Sequence, residues 1–151
     1  MSLDVYLTLA EARIPRTGSG IFIRENGVTV EISAEEWNRR NPDREPVTIS
    51  YDSEETDRVY HGNITHNLNT MAGEAGIYRH LWHPDEIGIT HAVELIEPLR
   101  IGLSTLESQP ERFRTFNPDN GWGDYDGLVK FVRDYLAACE QYPQAEVSVW
   151  R

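Results

Sequence analysis

The chain has 151 residues and a formal net charge of −11 at pH 7, enough length for one domain whose core needs neither disulfides nor a structural metal. With 39% hydrophobic and 26% charged residues it falls outside the disordered class, and no apolar run approaches the roughly 18 residues that cross a bilayer, so no membrane association is expected. The acids run through the whole chain and Lys130 is the only lysine; such a surface repels phosphate backbones and argues against direct nucleic-acid binding.

The opening MSLDVYLTLAEA has an acid at position 4 and no basic flank, unlike a secretory leader. Its residues 3–9 alternate apolar and polar and predict a strand. RIPRTGS at 13–19 predicts a loop. Ile21–Ile23 and Val28–Ile32 flank Asn26-Gly27, a pair that tolerates positive φ, which predicts a hairpin. Ser33-Ala34-Glu35-Glu36 is a capping box opening a short helix to about Arg40, stopped by Asn41-Pro42. Val47–Tyr51 predicts a strand, the acidic 52–57 a turn, and Arg58–His61 a further strand.

The period then changes. Ile64, Leu68, Met71, Ala72 and Ala75 predict a helix over 65–75 that Gly76 ends. Residues 77–89 read as irregular. Thr90 to about Glu107 predicts a longer helix with the stripe Val93, Ile96, Leu99, Leu103, Leu106 and a kink at Pro98. PERFRTF after Gln109 predicts a short helix. Asp124 caps a last helix over 124–141 with Leu128, Val132, Tyr135, Leu136 and Cys139 inward, and 147–150 predicts a closing strand. Cys139 is the only cysteine, which excludes an intrachain disulfide and a Cys-rich zinc site and makes a cytoplasmic location the expectation. The fold class expected is α+β: one domain over 1–151, β-rich through 62 and mainly helical from 63. An antiparallel sheet holding both terminal strands and the 21–32 hairpin carries the helices on one face.

Two segments stand out as candidate binding residues. In NITHN, Asn63, His66 and Asn67 lie where a strand meets a helix, a place that offers N–H donors and a titratable ring together. In NPDNGWGDY, Asn120, Trp122 and Tyr125 lie in or beside a glycine-flanked loop, where a large aromatic either plugs the core or walls a ligand. Both segments precede an amphipathic helix, so they are expected to lie side by side and to suit a small anionic or planar ligand. Two weaker patterns carry less. His80 and His83 with Asp85 and Glu86 have a metal-compatible spacing, but two imidazoles flanking Leu81 and Trp82 read more simply as structural. Asp119, Asp124 and Asp126 suggest a calcium loop, yet Lys130 falls where a bidentate Glu belongs. No metal and no cofactor are expected.

NITHNLNTMAGEAGIY at 63–78, LWHPDEIGI at 81–89 and FNPDNGWGDY at 116–125, with the terminal MSLDVYLT and AEVSVWR, resemble a family of small uncharacterised proteins of bacteria and their phages. The resemblance covers 59–151 and the first eight residues. It implies a phage-related setting and no particular activity. Members of that family often have a shorter stretch before NITHNL, sometimes with a Cys pair, whereas residues 10–58 here hold no cysteine. No nucleophile elbow, phosphate loop or dinucleotide fingerprint is present. The expectation is therefore a non-enzymatic domain binding a protein or a small ligand. The alternatives are an enzyme with a polar site centred on His66, or an acidic mimic of nucleic acid that blocks a basic groove.

Overall fold

The computed structural model describes residues 1–10, 14–15, 19–48 and 55–151. Strand β1 (Ser2–Thr8) is the centre of a three-stranded sheet. Its alternation is complete: Leu3, Val5 and Leu7 are fully buried, while the residues between them face the other side. Period-2 side chains on a half-buried strand leave no other arrangement. Two-residue strands β2 (Ile14–Pro15) and β5 (Glu55–Thr56) pair with each other. The hairpin is β3 (Ile21–Glu25) and β4 (Val28–Ile32). Asn26 at φ 50° and Gly27 at φ 77° form the turn that their residue types call for.

Strand β6 (Arg58–Thr65) and strand β7 (Glu146–Trp150) pair antiparallel with β1 on either side, so both terminal strands share one sheet. The hairpin does not join it, contrary to the sequence expectation; it is a sheet of its own. Neither of its strands has a fully buried residue, so no apolar face forces it into the main ladder. It docks instead through a side-chain bond, Thr29 Oγ1 donating to Asn63 Oδ1 at 3.0 Å, and through its turn.

Helix α1 (Ala34–Arg40) starts where Ser33 Oγ accepts from the Glu36 amide. The reciprocal half of the capping box is not made, because Glu36 turns to Arg39 and Arg40. The expected 47–51 strand falls partly outside the described residues, and Val47–Thr48 have no regular structure.

After β6 the chain makes a 3₁₀ turn over His66–Leu68 and then α2 (Asn69–Glu74). The strand thus runs three residues beyond the expected change at 62. The expected irregular stretch holds α3 (Tyr78–Trp82) and a 3₁₀ turn over Pro84–Ile87. A five-residue helix is unstable alone, but Leu81 and Trp82 are buried anchors, so tertiary packing holds it. In α4 (Val93–Ser108) the buried residues are Leu95, Leu99, Gly102 and Leu106, while Val93 is exposed. Of the expected stripe, Leu99 and Leu106 are buried, Ile96 and Leu103 pack against the core, and only Val93 lies outside it; Gly102 joins the buried face, where a Cβ would stand 2.3 Å from Ile77 Cγ2. Pro98 lies inside this helix, as read.

Helix α5 (Pro110–Arg114) and helix α6 (Tyr125–Gln141) follow. Helix α6 packs along α4 and onto β6, with Leu128, Val132, Tyr135, Leu136 and Cys139 buried. Burial pushes the Cys139 thiol up to about 12, so it stays protonated and inert. Asp124 Oδ1 accepts from the Gly127 amide at 2.7 Å at the start of α6. Asp124→Ala is expected to cost about 1 kcal/mol, read as a lowered urea midpoint at unchanged slope. Among the described residues no helix is long and apolar enough to cross a membrane.

Candidate ligand-binding site

The two segments singled out in the sequence do meet. Asn67 Nδ2 donates toward Asn120 Oδ1 at 3.5 Å and the Trp122 carbonyl at 3.4 Å. Gly123 is packed so closely that a Cβ there would lie 2.6 Å from Thr65 Cγ2. The hairpin turn joins them, since a Cβ on Gly27 would lie 3.1 Å from the Gly123 amide nitrogen. Three chain reversals therefore converge beside the start of α6.

The six candidate residues divide. Asn67, Asn120 and Trp122 form the junction, and Trp122 is 52% exposed, so it is a wall and no core plug. Tyr125 is a core residue: it is buried and its hydroxyl donates to the Leu106 carbonyl at 2.7 Å. As the first residue of α6 it is turned into the core, and the Arg114 guanidinium lies over its ring, 4.8 Å from the centroid. His66 turns inward too. Trp82 Nε1 donates to His66 Nδ1 at 2.9 Å, and His66 Nε2 is buried without a partner. The 3₁₀ turn, in place of the expected α-helical start, changes where its side chain projects. Asn63 stays on β6 and faces a different set of groups.

That set is a polar cluster on the outer face of the sheet. Register pairs Asp4 with Asn63 and Tyr6 with His61, and cross-strand partners share a face. Asp4 Oδ1 accepts from Asn63 Nδ2 at 2.8 Å and lies 2.8 Å from His61 Nε2. The His61 ring stacks on Tyr6 with centroids 4.8 Å apart and stands perpendicular to Phe22 with centroids 5.6 Å apart. The Arg58 guanidinium lies 4.0 Å from the Tyr6 ring centroid. Burial, helped by the Asp4 charge, raises the Tyr6 hydroxyl above its ordinary pKa, while Arg58 opposes that shift.

Two concavities adjoin this cluster. One of about 290 Å³ opens between the hairpin, β6 and α6, lined by Phe22, Arg24, His61, Asn63, Lys130 and Asp134 among others. Another of about 340 Å³ is lined by Met1, Ser2, Arg24, Thr65, Asn67 and Trp122. Arg24 is the residue the two have in common. Its guanidinium lies 6.0 Å from the Trp122 ring centroid. Burial lowers its pKa, with the Asp4 charge acting the other way and less strongly. Among the described residues no carboxylate makes an ion pair with it. The nearby acids are engaged elsewhere: Asp4 with His61 and Asn63, Asp134 with Lys130.

Asp4, Arg24 and His61 were not picked out by reading the sequence. Each sits in a short β-rich run where a charged residue reads as the solvent face. Strand register brings Asp4 and His61 together, and the docking of the separate hairpin places Arg24 beside the same hollow.

At the other patterns, His80 Nδ1 and His83 Nδ1 are buried without a hydrogen-bond partner among the described residues. His83 Nε2 is 3.2 Å from the Tyr78 hydroxyl and its Nδ1 is 3.5 Å from Glu86. Burial lowers the His80 pKa. Asp126 pairs with Arg114 at 3.2 Å. Among the described residues no group of three or more His, Cys, Asp or Glu is arranged to hold a metal ion.

Fold and site together define an α+β domain with a polar, aromatic-walled depression between β6 of a three-stranded sheet, the hairpin and α6. Comparison of the chain with protein-family models, with curated proteins and with solved structures finds no match in any of the three.

Proposed function

We propose that this protein is a non-enzymatic binding domain for a small planar anion, held at Arg24. One observation carries the reading. Arg24 is partly withdrawn from water, has no ion-pair partner among the described residues, and stands beside the exposed Trp122 ring. Withdrawing a charge from water is unfavourable unless something compensates it. An anion would supply charge-assisted hydrogen bonds worth about 1.5–3 kcal/mol, and the tryptophan face suits a planar group. A phage-related setting follows from the family resemblance alone and adds no ligand.

The test uses naphthalene-1-sulfonate, a planar monoanion, titrated into isotope-labelled protein and followed by amide NMR. Saturable shifts are expected around residues 21–29 and 61–67 and at the Trp122 indole. Arg24→Gln is expected to weaken binding at least tenfold, about 1.4 kcal/mol, with an unchanged far-UV spectrum. An Arg24→Gln protein that binds as tightly as the parent, or a parent without saturable shifts, would overturn the proposal.

A second reading, an enzyme, is favoured by the Asp4–His61 contact at 2.8 Å. A carboxylate on one ring nitrogen orients an imidazole as a general base. In that reading the polar centre is His61 and not His66. Turnover of a bound ligand that disappears in His61→Gln would place the protein in this class.

A further inference from the structure

The two concavities share Arg24, and each has its own exposed aromatic: Phe22 in the first, 43% exposed, and Trp122 in the second, 52% exposed. Phe22 and Arg24 are two residues apart on β3, about 7 Å along the strand. Trp122 lies 6.0 Å from the Arg24 guanidinium. A cation therefore stands between two aromatic surfaces, each beside space for a further group.

Resting on the Arg24 reading, we infer that the two concavities form one bipartite site for a phosphodiester carrying a planar group on each side of the phosphate. A terminal anion would use one hollow and leave the other empty. An anion in the middle of a molecule uses both. A diester phosphate has one negative charge, which matches a single guanidinium, and its two free oxygens fit the planar fork of arginine. Polar side chains line both hollows, His61 and Asn63 the first, Thr65 and Asn67 the second. The −11 net charge disfavours a long polyanion, so the ligand class is a short diester with one phosphate, such as a dinucleoside monophosphate.

The experiment compares two probes of equal charge by calorimetric titration: bis(4-nitrophenyl) phosphate, with two planar arms, and methyl 4-nitrophenyl phosphate, with one. The two-armed probe is expected to bind at least tenfold more tightly. Phe22→Ala and Trp122→Ala are each expected to reduce it to within about threefold of the one-armed probe, because each removes the aromatic ring on which one arm stacks. Both residues are exposed, so both variants should remain folded. Equal affinities for the two probes, or a preference that survives both alanine variants, would overturn the bipartite site. Where naphthalene-1-sulfonate still binds through Arg24 in that case, the simpler reading stands and only the second arm is lost. Failure of all three probes removes both.

Discussion

Trp82→Ala is expected to lower stability by about 3–5 kcal/mol, the range for removing a large buried aromatic. Trp82 is 1% exposed and stacks on Tyr78 with ring centroids 5.4 Å apart. Its Nε1 also supplies the hydrogen bond that His66 Nδ1 accepts. Removing the ring opens a cavity under α3 and leaves both nitrogens of His66 without a protein partner, since Nε2 already has none. Trp82→Phe keeps most of the apolar surface and loses the N–H, so a smaller cost of about 1–3 kcal/mol is expected, the penalty of an unmet acceptor. Trp122→Ala is the contrast. Its ring is half exposed, and the change is expected to stay within about 0.5 kcal/mol of the parent. Urea titrations followed by circular dichroism check all three; a Trp122→Ala loss as large as that of Trp82→Ala would show that the loop tryptophan is structural after all.

Gly123→Ala is expected to be the most damaging small change at the site, at about 2–4 kcal/mol. Two effects combine. Gly123 has φ 97°, a region that L side chains rarely adopt. A methyl group there would also meet Thr65 Cγ2 at 2.6 Å and Leu68 Cγ at 3.0 Å, which is overpacking against neighbours that are themselves buried. Gly121 separates the two effects. It has φ 75° with nothing within 4 Å of an added Cβ, so Gly121→Ala incurs the backbone strain alone, about 1–2 kcal/mol. Denaturant midpoints of the pair measure the steric part directly. Equal losses would mean that Gly123 is selected for its dihedral angle and that the Thr65 contact has room to give. In either case the Trp122 indole resonance should move in Gly123→Ala, because the loop carrying that ring is seated by the Gly123 contact.

Much of the secondary structure was legible because it rests on local physics. The Asn26-Gly27 turn, the Ser33 and Asp124 caps, the alternation of β1 and the apolar face of α6 all follow from side chains acting on their immediate neighbours. The errors share a different cause. Helix α3 is too short to persist without the burial of Leu81 and Trp82. The burial of Gly102 on α4 depends on Ile77, which stands against it. The extension of β6 to Thr65 is set by pairing with Ser2. Each depends on a residue distant in sequence or on another element.

The candidate site divides along the same line. The two segments do meet, but not through the expected side-by-side packing of their helices: α6 packs on α4 and β6, and the NGWG loop is seated by Gly123 against Thr65 and Leu68. The inward turn of Tyr125 and His66 was not legible, because it depends on which neighbour, Leu106 or Trp82, offers a hydrogen-bonding partner.

The sequence by itself determined an α+β chain with both terminal strands in one antiparallel sheet, its capped helices, its inert cysteine and its surplus of acid. These come from local propensity, hydrophobic period and composition, which a linear chain displays in full. Only the tertiary structure decided that the hairpin stands apart from the main sheet. It also decided that Asp4 meets His61 across a strand pair, and that Arg24, without an ion-pair partner among the described residues, lines two hollows. The physical reason is that strand register and hairpin docking are set by contacts between segments tens of residues apart, and a single charged residue in a short strand has the same local pattern whether it meets water or a site.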